Sequence, residues 1–106
     1  MWTVETLNAV VDAEIGGLPA DLRARLARLA ELIEAVGIEA LPRDAAKHLE
    51  GKLWELRVSA ATGISRATYV TAAGRRVVIV RVFMKKSQKT PLTELRIAQA
   101  RAKEVK

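Results

Sequence analysis

The sequence predicts an α+β fold: a small antiparallel β-sheet of three to four strands with helices packed on one face. Three observations predict it. Apolar residues recur at helical spacing between Pro19 and Gly37. From Lys52 to Lys85 the period changes to two, interrupted at Gly63 and Gly74. Thr90-Pro91 then opens a second helical segment near the end of the chain. At 106 residues the chain is long enough for one modest core, so residues 1–106 form a single domain.

Taken in order, Met1 to Leu7 alternates weakly and reads as a short strand. Asn8 to Ile15 reads as a helical turn that Gly16-Gly17 breaks. Pro19 suits a first helical turn, and Leu22, Leu26, Leu29, Ile33 and Val36 then form one apolar stripe, with Gly37 a natural stop. Arg23, Arg25, Arg28, Glu31 and Glu34 fall off that stripe, so the helix is suited to covering a sheet and carries no evident chemistry. Leu41 to Gly51 reads as a connection. Three strands follow at Lys52–Val58, Ile64–Thr71 and Arg75–Lys85, joined by turns short enough for antiparallel hairpins. Thr90 is placed as the N-cap of the last helix, whose stripe is Leu95, Ala98, Ala102 and Val105.

Composition narrows the function. The chain has no cysteine, which excludes a disulfide framework, a thiol nucleophile and a zinc–thiolate site and fits a cytoplasmic protein. It has no secretory signal and no apolar run of membrane-spanning length, so no membrane partner is expected. Its single histidine, His48, has no companion ligands at metal spacing, and neither a metal nor another cofactor is expected. The net charge of +6 is concentrated at one end. Residues 1–74 hold eight Lys/Arg against ten Asp/Glu, whereas residues 75–106 hold ten against two. That asymmetry points to a phosphate backbone or an acidic protein partner, although a solvated basic tail accounts better for the last few lysines.

The strand Val77 to Met84 carries one charge, Arg81, in an apolar run. Burying it unpaired would cost several kcal/mol, so it either has an acid beside it or looks out at an anion. If Ala73-Gly74 makes the second hairpin turn, Arg66 falls opposite Arg81; if Ser59 pairs with Ile64 in the first, Arg57 falls opposite Arg66. The row Arg57–Arg66–Arg81 is repulsive as structure alone and sensible as an anion site. Alternatively Glu55, diagonal to the row, pairs with one arginine, or a register slip sends an arginine to the other face. The expected pairing also collects Trp54, Leu56, Ala67, Tyr69, Val78, Val80, Val82 and Met84 on the opposite, helix-covered face. The strand runs out into Lys85-Lys86-Ser87-Gln88-Lys89 beside a helix N-terminus, a setting that favours anions. Lys47 and His48 are further candidates to reach a substrate across the sheet edge.

Leu53-Trp-Glu-Leu-Arg57, Ser65-Arg66 with Tyr69, and Val80-Arg-Val-Phe-Met-Lys-Lys-Ser-Gln-Lys-Thr-Pro91 before a helix resemble the RelE/ParE toxin superfamily, specifically its HigB-like, phage-derived branch. The resemblance covers nearly the whole chain, and its most specific part is Phe-x-Lys-Lys-x-x-x-x-Pro after an apolar strand. It implies a RelE-like fold and a type II toxin neutralised by a cognate antitoxin, often a helix-turn-helix, HigA-like protein. RelE-like members cleave mRNA on the ribosome, and ParE-like members inhibit DNA gyrase.

The residues suit cleavage. Metal-independent RNA hydrolysis needs a 2′-hydroxyl to attack the adjacent phosphate, leaving a 2′,3′-cyclic phosphate, with one proton accepted, another donated and the added negative charge held. Arg57, Arg66 and Arg81 are expected on the phosphate. Lys85, Lys86 or Lys89 would move protons, since crowding by other cations depresses a lysine's pKa. Phe83 would stack on a base; Lys89, Lys47 and His48 would bind RNA. Arg81→Ala is then expected to leave the fold intact, and Trp54→Ala to empty a core site. A ParE-like gyrase inhibitor and a non-catalytic nucleic-acid- or protein-binding module are the alternatives.

Overall fold

A computed structural model describes all residues from Met1 to Lys106. The elements are β1 (Thr3–Thr6), α1 (Ala9–Gly16), α2 (Ala20–Val36), β2 (Ala46–Glu50), β3 (Leu53–Ala60), β4 (Gly63–Ala72), β5 (Arg76–Met84) and α3 (Leu92–Ala102). A single helical turn at Ile38–Ala40 lies between α2 and β2. The sheet is larger than expected: five strands in the order β1-β5-β4-β3-β2, mixed because β1 runs parallel to β5. The fourth and fifth strands come from segments with little alternation. The connection around His48 folds as β2, pairing antiparallel with β3, and the weak N-terminal strand pairs with β5, some seventy positions away.

Helices cover both faces rather than one. On one face α1 and α2 bury Val11, Leu22, Leu26, Leu29 and Ile33 against Leu56, Val58, Ala67, Tyr69, Val77, Ile79 and Val82. On the other, the small residue Ala98 lets α3 lie close over Leu53, Val70, Val78 and Val80, with Leu95, Ala102 and Val105 alongside. The α2 stripe is as the spacing predicts except at its end, where Val36 is exposed. Burial pushes the Tyr69 phenol up to about 12, because the interior disfavours its anion.

The hairpin registers decide which side chains share a face. Between β3 and β4, Ser59 pairs with Ile64 and Arg57 with Arg66, as predicted. Between β4 and β5 the register shifts twice. The turn holds three residues instead of two, with Ala72 opposite Arg76 and with Gly74 (φ 84°) and Arg75 (φ 57°) both left-handed. A β-bulge then leaves Val80 without a counterpart, since Thr68 pairs with Arg81 and Tyr69 with Ile79. The two shifts cancel in parity, so Arg81 keeps its expected face but moves opposite Thr68, and Phe83 takes the place opposite Arg66. They also transfer Val78 and Val80 to the α3 face, replacing them under α2 with Val77 and Ile79. Trp54 lies on the α2 face as expected, yet it is 39% exposed and meets the His48 ring edge-on instead of filling the core.

Candidate functional site

On the α3 face, the two ends of the sheet differ. Leu53, Val70, Val78 and Val80 lie in the α3 cluster; Arg57, Arg66 and the end of β5 do not. There a cleft of about 190 Å³ is lined by Asp44, Ala45, Lys47, Glu55, Arg57, Arg66, Lys85 and Gln88. Local structure explains each placement. The Ala45 carbonyl accepts from Arg57 N–H, which seats the residues before β2 beside β3. Lys47 pairs with Glu55, and Arg57 with Arg66, so all four project from the same face. Lys85 N–H donates to the Ile64 carbonyl and so extends the β4–β5 ladder by one step to the cleft's rim.

Four of the expected site residues therefore meet: Lys47, Arg57, Arg66 and Lys85. Arg57 is exposed, with its guanidinium available to a ligand, while Arg66 is only 6% exposed. Arg66 is held by Glu55 (3.5 Å) and donates to Thr90 Oγ1 (3.1 Å), Gln88 O (2.7 Å) and Ser87 O (3.2 Å). The like charges at Arg57 and Arg66 are tolerable because one is solvated and the other neutralised from behind. Thr90 is accordingly not an N-cap: α3 starts after Pro91 without a side-chain cap, and the Thr90 hydroxyl donates to Glu55 instead.

The other expected residues lie elsewhere. Arg81 takes the first of the two options its sequence setting allowed, an acid beside it. Its guanidinium donates to Glu94 (2.6 and 3.2 Å) and Glu14 (2.6 Å), and Arg101 donates to Glu14 as well. The Glu94 hydrogen bonds, with Glu14 behind them, raise the Arg81 pKa further. The expected three-arginine row is thus two arginines, and Arg81 belongs to a neutral cluster joining α1, β5 and α3. Phe83 is buried, leaving little ring face for a base to stack on. Lys86 and Lys89 are exposed and do not line the cleft. His48, in β2, is on the opposite face from Lys47, with Nε2 2.8 Å from the Gly51 carbonyl oxygen.

Asp44, Glu55 and Gln88 are cleft residues that the strand pattern did not single out as site residues. Glu55 was legible only as a possible diagonal partner for an arginine, the role it has. Asp44 and Gln88 come from irregular segments, where periodicity assigns no face. With Glu55 committed to Arg66 and Thr90, Asp44 is the one lining carboxylate that makes no ion pair or hydrogen bond. A cleft with four cations, one free carboxylate and one amide is suited to gripping an anionic group and moving protons around it. No three His, Cys, Asp or Glu side chains converge as a metal site, and no helix is long and apolar enough to cross a membrane.

A family model described as "Phage derived protein Gp49-like (DUF891)" matches residues 13–103. The matched span runs from α1 to the end of α3 and includes every cleft residue. No curated protein matches the sequence.

Proposed function

The chain belongs to the phage-derived Gp49-like family, and from that premise we propose that it is the toxin of a type II toxin–antitoxin pair, a ribosome-dependent mRNA endonuclease of the RelE-like, HigB-like kind. The family is toxin-like and compatible with that role. The observation that carries the cleavage reading is the convergence of Lys47, Arg57, Arg66 and Lys85, from four separate strands or strand ends, on one small cleft. Its natural occupant is a phosphodiester. Expected partners are the message on the ribosome and a helix-turn-helix antitoxin that silences the toxin, and the setting is the cytoplasm.

In this reading Arg57 forks onto the scissile phosphate and holds the charge that builds as the 2′-hydroxyl attacks. Asp44, unpaired in the cleft, accepts the hydroxyl proton, and Lys85 or Lys47 protonates the departing 5′-oxygen. The products are a 2′,3′-cyclic phosphate and a free 5′-hydroxyl, with no proton gained or lost overall. Arg81 takes no part, because its guanidinium N–H groups are engaged by the carboxylates of Glu94 and Glu14.

The test is translation in a bacterial extract with purified chain added, followed by primer extension on the reporter message. Wild type should halt synthesis and create new 5′ ends inside the message. Arg57→Ala should lower the cleavage rate by about 100-fold, within the range for loss of one preorganised charge-stabilising donor. Its exposed position makes the variant's stability equal to wild type within about 0.5 kcal/mol. Uninterrupted translation with an intact message would overturn the proposal.

A further inference from the structure

The mechanism above leaves one buried group unused. Glu55 and Arg66 are 5% and 6% exposed, the most deeply buried charges in the chain. They do not close on each other with a short bidentate contact; the Arg66 Nε to Glu55 Oε1 separation is 3.5 Å. The short contacts run through a third residue. Arg66 donates to Thr90 Oγ1 at 3.1 Å, and Thr90 donates onward to Glu55 Oε2 at 2.7 Å. The other arm of the guanidinium holds the carbonyls of Ser87 (3.2 Å) and Gln88 (2.7 Å). Thus the pair grips both the middle and the end of the Lys85–Thr90 segment, which beyond the Lys85 N–H has no helix or strand ladder of its own.

We propose that Glu55, Arg66 and Thr90 form a positioning lock that fixes the lysine-rich segment so that Lys85 and Gln88 face the cleft while Lys86 and Lys89 face away. Two observations point the same way. Two of the segment's carbonyls, those of Ser87 and Gln88, are satisfied by a side chain from β4, and the only bond within the segment is from Ser87 Oγ to the Lys89 carbonyl (2.8 Å), so its conformation depends chiefly on Arg66. The lock also sits beside Arg57, whose cross-strand partner is Arg66. Arg66 therefore acts through the residues it holds, and its place in the cleft is that of a floor. Thr90 is the member whose hydroxyl bridges the other two, accepting from one and donating to the other.

The inference rests on the reading of the cleft as a nuclease site, and its test separates the two. Removing Glu55 or Arg66 strands a buried charge and endangers the fold, so the informative variants are Thr90→Val, which keeps shape and loses the hydroxyl, and Thr90→Ser, which keeps the hydroxyl. Each purified chain is digested briefly with trypsin, with cleavage after Lys86 and Lys89 followed by mass spectrometry. Each is also assayed for message cleavage at varied ribosome concentration. Thr90→Val should raise tryptic cleavage in the segment by about 10-fold or more with cleavage after Arg25 and Arg28 of α2 unchanged, and lower the saturated rate of message cleavage with little change in the half-saturating ribosome concentration. Thr90→Ser should restore both. Equal protection of the segment in Thr90→Val and wild type would overturn the lock, whether or not any RNA is cut. A loosened segment with undiminished message cleavage would overturn its positioning role. Cleavage-inactive wild type with a protected segment would overturn the nuclease reading and leave the lock standing.

Discussion

At the scale of single residues, Arg81 illustrates how a charge in an apolar strand declares a partner without naming it. The sequence setting required either an acid or an anion. Which one applies depends on Glu14 and Glu94, 67 and 13 positions away, and no local pattern connects them. The ion pairs are about four-fifths buried, with side-chain exposures of 22% for Arg81, 14% for Glu14 and 19% for Glu94. Removing the arginine would leave Glu94 without its partner and Glu14 with only Arg101 and the Val82 N–H. Arg81→Ala should therefore destabilise the fold by about 2–3 kcal/mol, somewhat less than loss of one member of a fully buried pair because solvent still reaches the cluster. Urea unfolding measures it. This replaces the expectation from the sequence that Arg81→Ala leaves the fold intact. A midpoint matching wild type would mean that the two carboxylates are comfortably hydrated without the guanidinium.

At the scale of elements, legibility followed periodicity. The α2 stripe, the three central strands, the first hairpin register and the α3 stripe were all readable, because each is a run of residues whose spacing states its own geometry. Two features lay outside that signal. Strand β2 has little alternation, and it forms because β3 offers it an edge, with the Ala46–Leu56 and Lys47–Glu55 pairs. The bulge at Val80 has no sequence mark of its own. Its cause is visible only in three dimensions: β1 ends alongside Ile79, and beyond it the Val82 N–H donates to Glu14 while the Val80 carbonyl accepts from Arg101. Half of the cleft was legible for the same reason. Arg57 and Arg66 follow from a hairpin count, whereas Asp44 and Gln88 belong to segments without a period. Strand β3 provides a check on face and depth together. Leu56 is fully buried under α2 and Trp54, on the same face, is 39% exposed. Leu56→Ala should cost about 2–5 kcal/mol, and Trp54→Ala only about 1–2 kcal/mol because much of its ring already meets water. Equal losses in thermal unfolding would show that Trp54 is as deeply packed as Leu56.

At the scale of the whole molecule, polar ties between segments distant in sequence close the fold at its margins, and they give its stability a pH dependence of known sign. Glu5 on β1 receives two hydrogen bonds from Arg76 on β5, which hold its carboxyl below the usual glutamate value of 4.5. Asp21 at the start of α2 accepts from both the hydroxyl and the N–H of Thr62 in the β3–β4 turn, which likewise lowers its pKa from 3.8. A carboxyl with a depressed pKa in the folded state stabilises that state above its unfolded value, and the contribution disappears as pH falls through the folded value. On the alkaline side Tyr69 acts in the opposite sense: its pKa rises from 10 to about 12 on folding, so the stability it contributes is complete below 10 and is lost as pH climbs toward 12. Stability measured by urea unfolding should thus be flat between about pH 5 and 9.5 on account of these groups and should fall on both sides. Glu5→Gln with Asp21→Asn should flatten the acid limb alone, and Tyr69→Phe the alkaline limb alone. An unchanged acid limb in the double variant would show that the Glu5–Arg76 and Asp21–Thr62 ties do not set it.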